Sequence, residues 1–324
     1  MVTAAIIIFV VFALIYGLVV FLDIKQAKRK QIKYHVKQYI IAFLFLLPAV
    51  VLTYFFVLLP IMYSLGYSFT DYNLLKPEEM KFVGFDNFVQ AFREIKEGGK
   101  LANAVKNTAI FVVLVVPLQI GIALLLALFV ATKKHKSGLF KVCFFIPVVI
   151  SLTITSYLWL EILTPSEYGI FNSLLGLFGI PPQDFINNPD TTMVWIVIIS
   201  AWQGAGYQML IFISALSNIR QDLYEAARMD GCNAWHRFWK VTIPGLKPTL
   251  LYILITVFIG ASRIMVQPML MVGYQDNSVT ISYYIYQQGY SYSNVGYSAA
   301  IAFIMTIIMG VITLLQRKFL GEKK

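Results

Sequence analysis

Glu225-Ala226-Ala227-Arg228-Met229-Asp230-Gly231 is the stretch best equipped to act on another molecule. It continues through Trp235, Phe238 and Trp239 to Val241-Thr242-Ile243-Pro244. It forms a short polar island between two long apolar runs, and its chemistry is docking rather than bond making. Ala226 and Ala227 permit close approach by another surface. Glu225 and Asp230 place negative charge on an otherwise basic stretch, and the three large aromatics need an apolar surface to bury against. Asp222 and Glu225 stand three apart, the spacing of a capping box, so a helix is expected to open at Asp222. Gly231 supplies the left-handed residue that closes it. Asn233 can cap a second short helix that carries the aromatics on one face. The same spacing also suits a helix-turn-helix linker tucked under a membrane.

Bond-making chemistry has no comparable support. No nucleophile–base pair and no metal-ligand cluster is evident. His35, His135 and His236 are isolated and read as solvated loop residues. Cys143 falls in or near an apolar run and Cys232 in the polar island, so a disulfide is not expected. Gly98-Gly99-Lys100 lacks the first glycine of a phosphate loop and is followed by Leu101. No catalytic residue, metal site or resident cofactor is assigned.

The elements that position the island are apolar. Of 324 residues 59% are hydrophobic and 13% charged, with mean hydropathy +0.73; a soluble protein carries roughly 25% charged residues. Runs of about 20 apolar residues suffice to cross a ~30 Å hydrocarbon core. The class is therefore an all-α membrane protein. Seven spans are expected, near 3–22, 39–68, 105–132, 139–161, 193–217, 249–273 and 295–316. The first lacks a basic segment before its apolar run, so it reads as a retained anchor helix, not a signal peptide. Residues 1–38 are taken as anchor and basic linker, and 39–324 as a six-helix domain with the island at about 218–248.

The net charge of +10 does not indicate nucleic acid. Most of the 26 Lys and Arg cluster in alternate loops, at 25–37, 133–141, 220–247 and 317–324. The positive-inside rule makes those loops cytoplasmic, with the amino terminus outside and the carboxyl terminus inside. Within the expected outer loop, Phe85, Phe88, Val89 and Phe92 repeat with helical spacing, so an amphipathic helix is expected there, resting on the bilayer or on an outer partner. The segment 164–192 is apolar but interrupted by Gly176, Gly179, Pro181 and Pro182, which predicts a short helix and turns.

Glu225-Ala226-Ala227, with Gly231 four residues on and Val241-Thr242-Ile243-Pro244 beyond, resembles the cytoplasmic signature loop of inner-membrane permeases of binding-protein-dependent ABC importers. The resemblance is to the sugar-uptake, maltose-type branch and runs from about Tyr39 to Phe319. Phe82-Val83-Gly84-Phe85-Asp86-Asn87-Phe88, Ile146-Pro147-Val148-Val149-Ile150-Ser151, Ala215-Leu216, Asp222-Leu223-Tyr224 and Tyr284-Ile285-Tyr286 match as well. Val241 and Ile243 stand where Ile and Leu are usual, Cys232 where Ala is, and Tyr274-Gln275-Asp276 where Gly-Gly-Pro is.

The resemblance implies that Glu225, Ala226, Ala227, Asp230 and Gly231 couple to an ATP-hydrolysing subunit. It also implies a second homologous permease, two ATPase subunits that bind ATP and Mg, and an extracytoplasmic solute-binding protein, in a bacterial cytoplasmic membrane. The substrate would be a sugar or oligosaccharide moved by alternating access. The rival expectation is an ion-coupled secondary transporter, which needs intramembrane acids or histidines that are scarce here.

A sugar path needs hydroxyl partners and aromatic faces within the spans. Ser151, Thr155 and Trp159 qualify in the fourth, and the resemblance implies that Ser200, Gly204 and Tyr207 of the fifth face the sugar. The competing reading has the hydroxyls bonded to their own helices and the glycines packing helices. Arg263 is the one charge placed well inside a span and not near its boundary. It either pairs with Glu161, main-chain carbonyls or a partner permease, or meets an acidic group on the solute such as a uronate, or snorkels to the surface.

Overall fold

Two prolines set the local shape of two long helices in the same way. In the computed structural model, helix α1 (Val36–Thr53) passes through a π turn at Tyr54–Leu58 into α2 (Leu59–Tyr67), with Pro60 just beyond the turn. Far along the chain a second π turn, Phe238–Thr242, precedes Pro244. Proline lacks an N–H and its ring crowds the carbonyl four residues back, here Phe56 and Lys240, each inside the wider turn. The residue after each turn, Leu59 or Ile243, donates five residues back, to the carbonyl of Tyr54 or Phe238. The chain bridges the proline without breaking the helix.

The structure describes residues 17, 19–21, 23, 25, 36–132, 137–272 and 278–320. The first expected span, 3–22, lies almost wholly outside them, as do the basic residues 133–136 and the Tyr274-Gln275-Asp276 departure. The chain divides into two compact units, Met1–Gly66 and Tyr67–Lys324. In the first, α1 and α2 form one apolar run that leaves most of its large side chains exposed, as a lipid-facing helix does.

The second unit is all helical among its described residues apart from two isolated bridges, Thr70 with Phe82 and Asn73 with Asn294. Helix α3 (Asp86–Lys96) leads into α4 (Lys100–Thr132). Helices α5 (Ser137–Val149) and α6 (Leu152–Ile162) follow, then the short α7 (Ile170–Gly176) and the central α8 (Pro189–Ser217). The island holds α9 (Gln221–Met229) and α10 (Ala234–Arg237). Helix α11 (Ile243–Ser262), α12 (Val266–Met271), α13 (Ile281–Tyr286) and α14 (Val295–Leu320) complete the unit. Among the described residues of the chain, five helices are long and apolar enough to cross a membrane, and a bent pair makes a sixth candidate.

That bent pair corrects the expectation of a continuous fourth span. α5 and α6 meet at 96° around Ile150 and Ser151. Ser151 caps α6, its Oγ accepting from the Ile154 N–H at 3.3 Å. The Ile150 carbonyl, freed by the break, accepts from Gln203 Nε2 of α8 at 2.9 Å. Broken backbone inside an apolar layer persists only where the protein itself supplies such partners.

Helix α8 is the core of the unit. Its half near Pro189 packs with Phe111 and Val115 of α4, and its half near Ser217 places Met209 and Phe212 against Ala123, Ala127 and Val130 of α4 and Leu246 of α11. A Cβ on Gly206 would lie 2.3 Å from the Phe144 carbonyl oxygen, so glycine is what lets α8 touch the α5 backbone. As expected, 164–192 holds a short helix and turns. Asn172 organises them by donating to the Thr164 and Gln183 carbonyls and accepting from the Gln183 N–H.

The expected amphipathic helix is present as α3, with most of its aromatic face turned away from the unit, where the bilayer or an outer partner was expected. Phe85, Val89 and Phe92 are exposed, while Asn87 and Ala91 are buried. Asn87 Nδ2 donates to the Ser68 and Thr70 carbonyls, and Glu94 accepts from Tyr284, Tyr297 and the Leu101 N–H. The polar residues anchor α3 to the unit and leave Phe85, Val89 and Phe92 exposed, while Phe88 is half-buried against Phe69 and Phe303.

Candidate functional site

The polar turn between α8 and α11, the candidate docking element, is built locally. α9 closes with a Schellman motif: Gly231 has φ +73°, its N–H bonds the Arg228 carbonyl, and the Cys232 N–H bonds the Ala227 carbonyl. Asn233 Oδ1 then caps α10 by accepting from the His236 N–H at 2.9 Å. Both features were legible in the spacing. The expected capping box was not formed: Arg220 is the N-cap, and Asp222, inside the first turn, pairs with the Arg220 guanidinium instead of capping.

Trp235, Phe238 and Trp239 make mutual ring contacts, with centroids 5.3 to 6.2 Å apart. Yet Trp235 is 65% exposed and Met229 88%. Glu225, Ala226, Asp230 and Gly231 are exposed too, and Ala227 is half-buried. The element is held from beneath: Tyr224 Oη lies 3.0 Å from Thr242 Oγ1, and Arg237 Nη1 donates to the Cys232 carbonyl. A rigid turn thus presents a polar edge and an aromatic face outward.

The second feature is a cavity of about 520 Å³ among α4, α8, α11 and α12, within the size range of small-ligand sites. Its polar lining is Gln119, Ser200, Gln208, Thr256, Arg263, Gln267 and Ser282. Ser200 Oγ donates to Gln267 Oε1 at 2.6 Å, and Gln119 Nε2 donates to Gln208 Oε1 at 3.0 Å. Arg263 follows the last residue of α11, where the chain breaks before α12; a cation at a helix C-terminus is favoured by the dipole. Thr280 Oγ1 holds the break by donating to the Ile264 carbonyl at 2.6 Å.

The sequence candidates divide around this cavity. Ser200 and Arg263 line it together. Ser151, Thr155, Trp159, Gly204 and Tyr207 are not among its lining residues. Ser151 caps α6, and Thr155 and Trp159 are largely packed beside it, with the Thr155 hydroxyl and Trp159 Nε1 buried without a protein partner. A Cβ on Gly204 would lie 2.3 Å from the Gln119 amide nitrogen, so Gly204 makes room for a cavity side chain. Tyr207 is 50% exposed on another side of α8. Of the alternatives for Arg263, the pair with Glu161 is not made; Arg263 is exposed and has no ion pair among the described residues. Gln119 and Gln267 were missed, although a glutamine within an apolar span is itself a signal of a polar interior.

The family description "binding-protein-dependent transport system inner membrane component" matches residues 97–321. The chain belongs to this family. Its match takes in the cavity and the docking turn, and it sets aside the ion-coupled alternative.

Among curated relatives of this inner membrane component, the arabinooligosaccharides transport system permease protein AraP of Bacillus subtilis (strain 168) is 32% identical over 288 residues, 87% of this chain and 89% of that protein. The lactose transport system permease protein LacF of Rhizobium radiobacter is 33% identical over 290 residues, 87% and 94% of the two chains. The fold is similar to that of a bacterial ABC transporter involved in the import of the acidic polysaccharide alginate. There the TM-score is 0.77 at 22% identity, covering 88% of this chain and 96% of that one. The chain is thus a multi-pass inner-membrane permease subunit, with the ABC importer permease fold.

Proposed function

We propose that this permease carries a sugar or oligosaccharide inward, driven by ATP hydrolysis in separate subunits. The observation that carries the reading is the placement of the two features on α8. The cavity lies beside the middle of the helix, at Ser200 and Gln208, and the exposed turn follows its C-terminal end at Ser217. A push on the turn acts on a helix packed along α4 and reaches the cavity walls. The relatives named for arabinooligosaccharides and lactose support a sugar, as do the amide and hydroxyl groups of the lining.

Glu225, Ala226, Ala227, Asp230 and Gly231 form the surface that an ATPase subunit grips; ATP and Mg are bound there, not in this chain. The assembly contains a second homologous permease, two ATPase subunits and an extracytoplasmic solute-binding protein. Charge asymmetry puts the docking turn in the cytoplasm and α3 outside, in a bacterial cytoplasmic membrane.

Reconstitution tests the reading. Proteoliposomes holding the complex should accumulate a labelled oligosaccharide only with ATP, the ATPase subunits and the binding protein. Accumulation driven by an ion gradient without ATP, or no uptake of any saccharide across a panel, would overturn it.

A further inference from the structure

We infer that the cavity selects an acidic sugar, whose carboxylate is received by Arg263; this rests on the oligosaccharide reading above. Three observations converge on it. Arg263 is exposed and lines the cavity, and its side chain makes no ion pair or hydrogen bond to another described residue. No Asp or Glu is among the residues that line the cavity, so nothing in the lining offsets this charge. Its place is the break between α11 and α12, and a cation among apolar helices is retained where an anion or a polar cavity meets it.

The remaining lining suits the rest of a uronate. Gln119, Gln208, Ser200 and Thr256 offer donors and acceptors for ring hydroxyls, and Phe111 and Val115 offer apolar contact. Gln267 is tied through its oxygen to Ser200, while its Nε2 is buried without a protein partner. The C-terminal end of α11 stabilises the cation when the cavity is empty, so the charge persists without an internal acid. A planar fork of donors also matches a carboxylate better than it matches single hydroxyls.

The test uses the assembled transporter and two probes of one shape, trigalacturonate and its neutral methyl ester. Binding to the purified complex and uptake into proteoliposomes are measured for wild type, Arg263→Gln and Arg263→Lys. The wild type should prefer the acid by on the order of 10- to 100-fold, the contribution of a charge-assisted hydrogen bond. Arg263→Gln should lose that preference while leaving ester binding in place, and Arg263→Lys should keep part of it. Equal wild-type affinity for acid and ester overturns the inference, as does a preference that survives Arg263→Gln.

Binding of neutral oligosaccharides but of neither probe also overturns the inference and leaves the importer reading standing. Absence of transport for every saccharide instead overturns the importer reading itself. If Arg263→Gln fails to assemble, the wild-type comparison and Arg263→Lys still decide.

Discussion

Gln203 of α8 donates to the Ile150 main-chain oxygen at 2.9 Å, and this one bond satisfies the carbonyl freed where the α5–α6 pair bends by 96°. The bond links the broken span to the central helix, whose next turns carry Gln208 and the cavity.

Gln203→Leu should therefore leave the Ile150 carbonyl buried and unpaired. An unsatisfied buried acceptor costs about 1–3 kcal/mol. The expected outcome is a lower thermal midpoint of the purified complex with unchanged membrane insertion. An unaltered midpoint would show that the bend holds without this bond.

Two glycines on α8 should respond differently to alanine. At Gly206 a new Cβ meets the Phe144 main-chain oxygen at 2.3 Å, and a helix must move. At Gly204 it meets the Gln119 amide, the far end of a flexible side chain. Overpacking that cannot relax costs about 1–3 kcal/mol. Gly206→Ala should reduce complex stability by that order. Gly204→Ala should chiefly displace Gln119 and weaken solute binding. Equal effects on stability would contradict this assignment.

Tyr284 donates to Glu94 at 2.8 Å, and burial, then the hydrogen bond and charge of Glu94, raise the Tyr284 phenol well above its ordinary value of 10.0. The sign follows directly. Below pH 10 the phenol is protonated both folded and unfolded, and its contribution is fully present. Above pH 10 the unfolded chain ionises first, so stability falls as pH rises. Tyr284→Phe should lower stability at neutral pH and flatten the loss above pH 10, measured by thermal unfolding across pH 8–11.

Gly231 at φ +73° has open space around its Cβ position, so a substitution there acts through backbone strain alone. Left-handed backbone costs a branched residue about 1–3 kcal/mol. Gly231→Val should distort the end of α9, and Glu225→Lys should reverse charge on the docking edge. Both variants should insert normally yet show transport reduced by 10-fold or more relative to ATP hydrolysis. Normal coupling in both would remove the docking role.

What the sequence determined by itself is what short-range physics decides. Long continuous apolar runs specified membrane helices, because a helix satisfies its backbone within one segment, whereas a closed barrel needs short alternating strands. Gly231 and Asn233 specified the docking turn, because a Schellman closure and an N-cap involve atoms only a few residues apart. Asp222 was misread because Arg220, two residues earlier, competes for its carboxylate.

Only the tertiary structure decided the cavity and the faces. Spans that are apolar all round carry no periodicity to say which side turns inward. Nothing in the order of residues shows that Gln119 of α4 meets Gln208 of α8, or that Ser200 meets Gln267 across the Arg263 break. On α3 the periodic phenylalanines marked a face for the bilayer or an outer partner, but nothing in their spacing showed that Asn87 and Glu94 anchor the other face. Their bonds to Ser68, Thr70, Tyr284 and Tyr297 fix how the helix sits on the unit. These contacts join residues up to 203 positions apart, and their geometry exists only once the helices have packed.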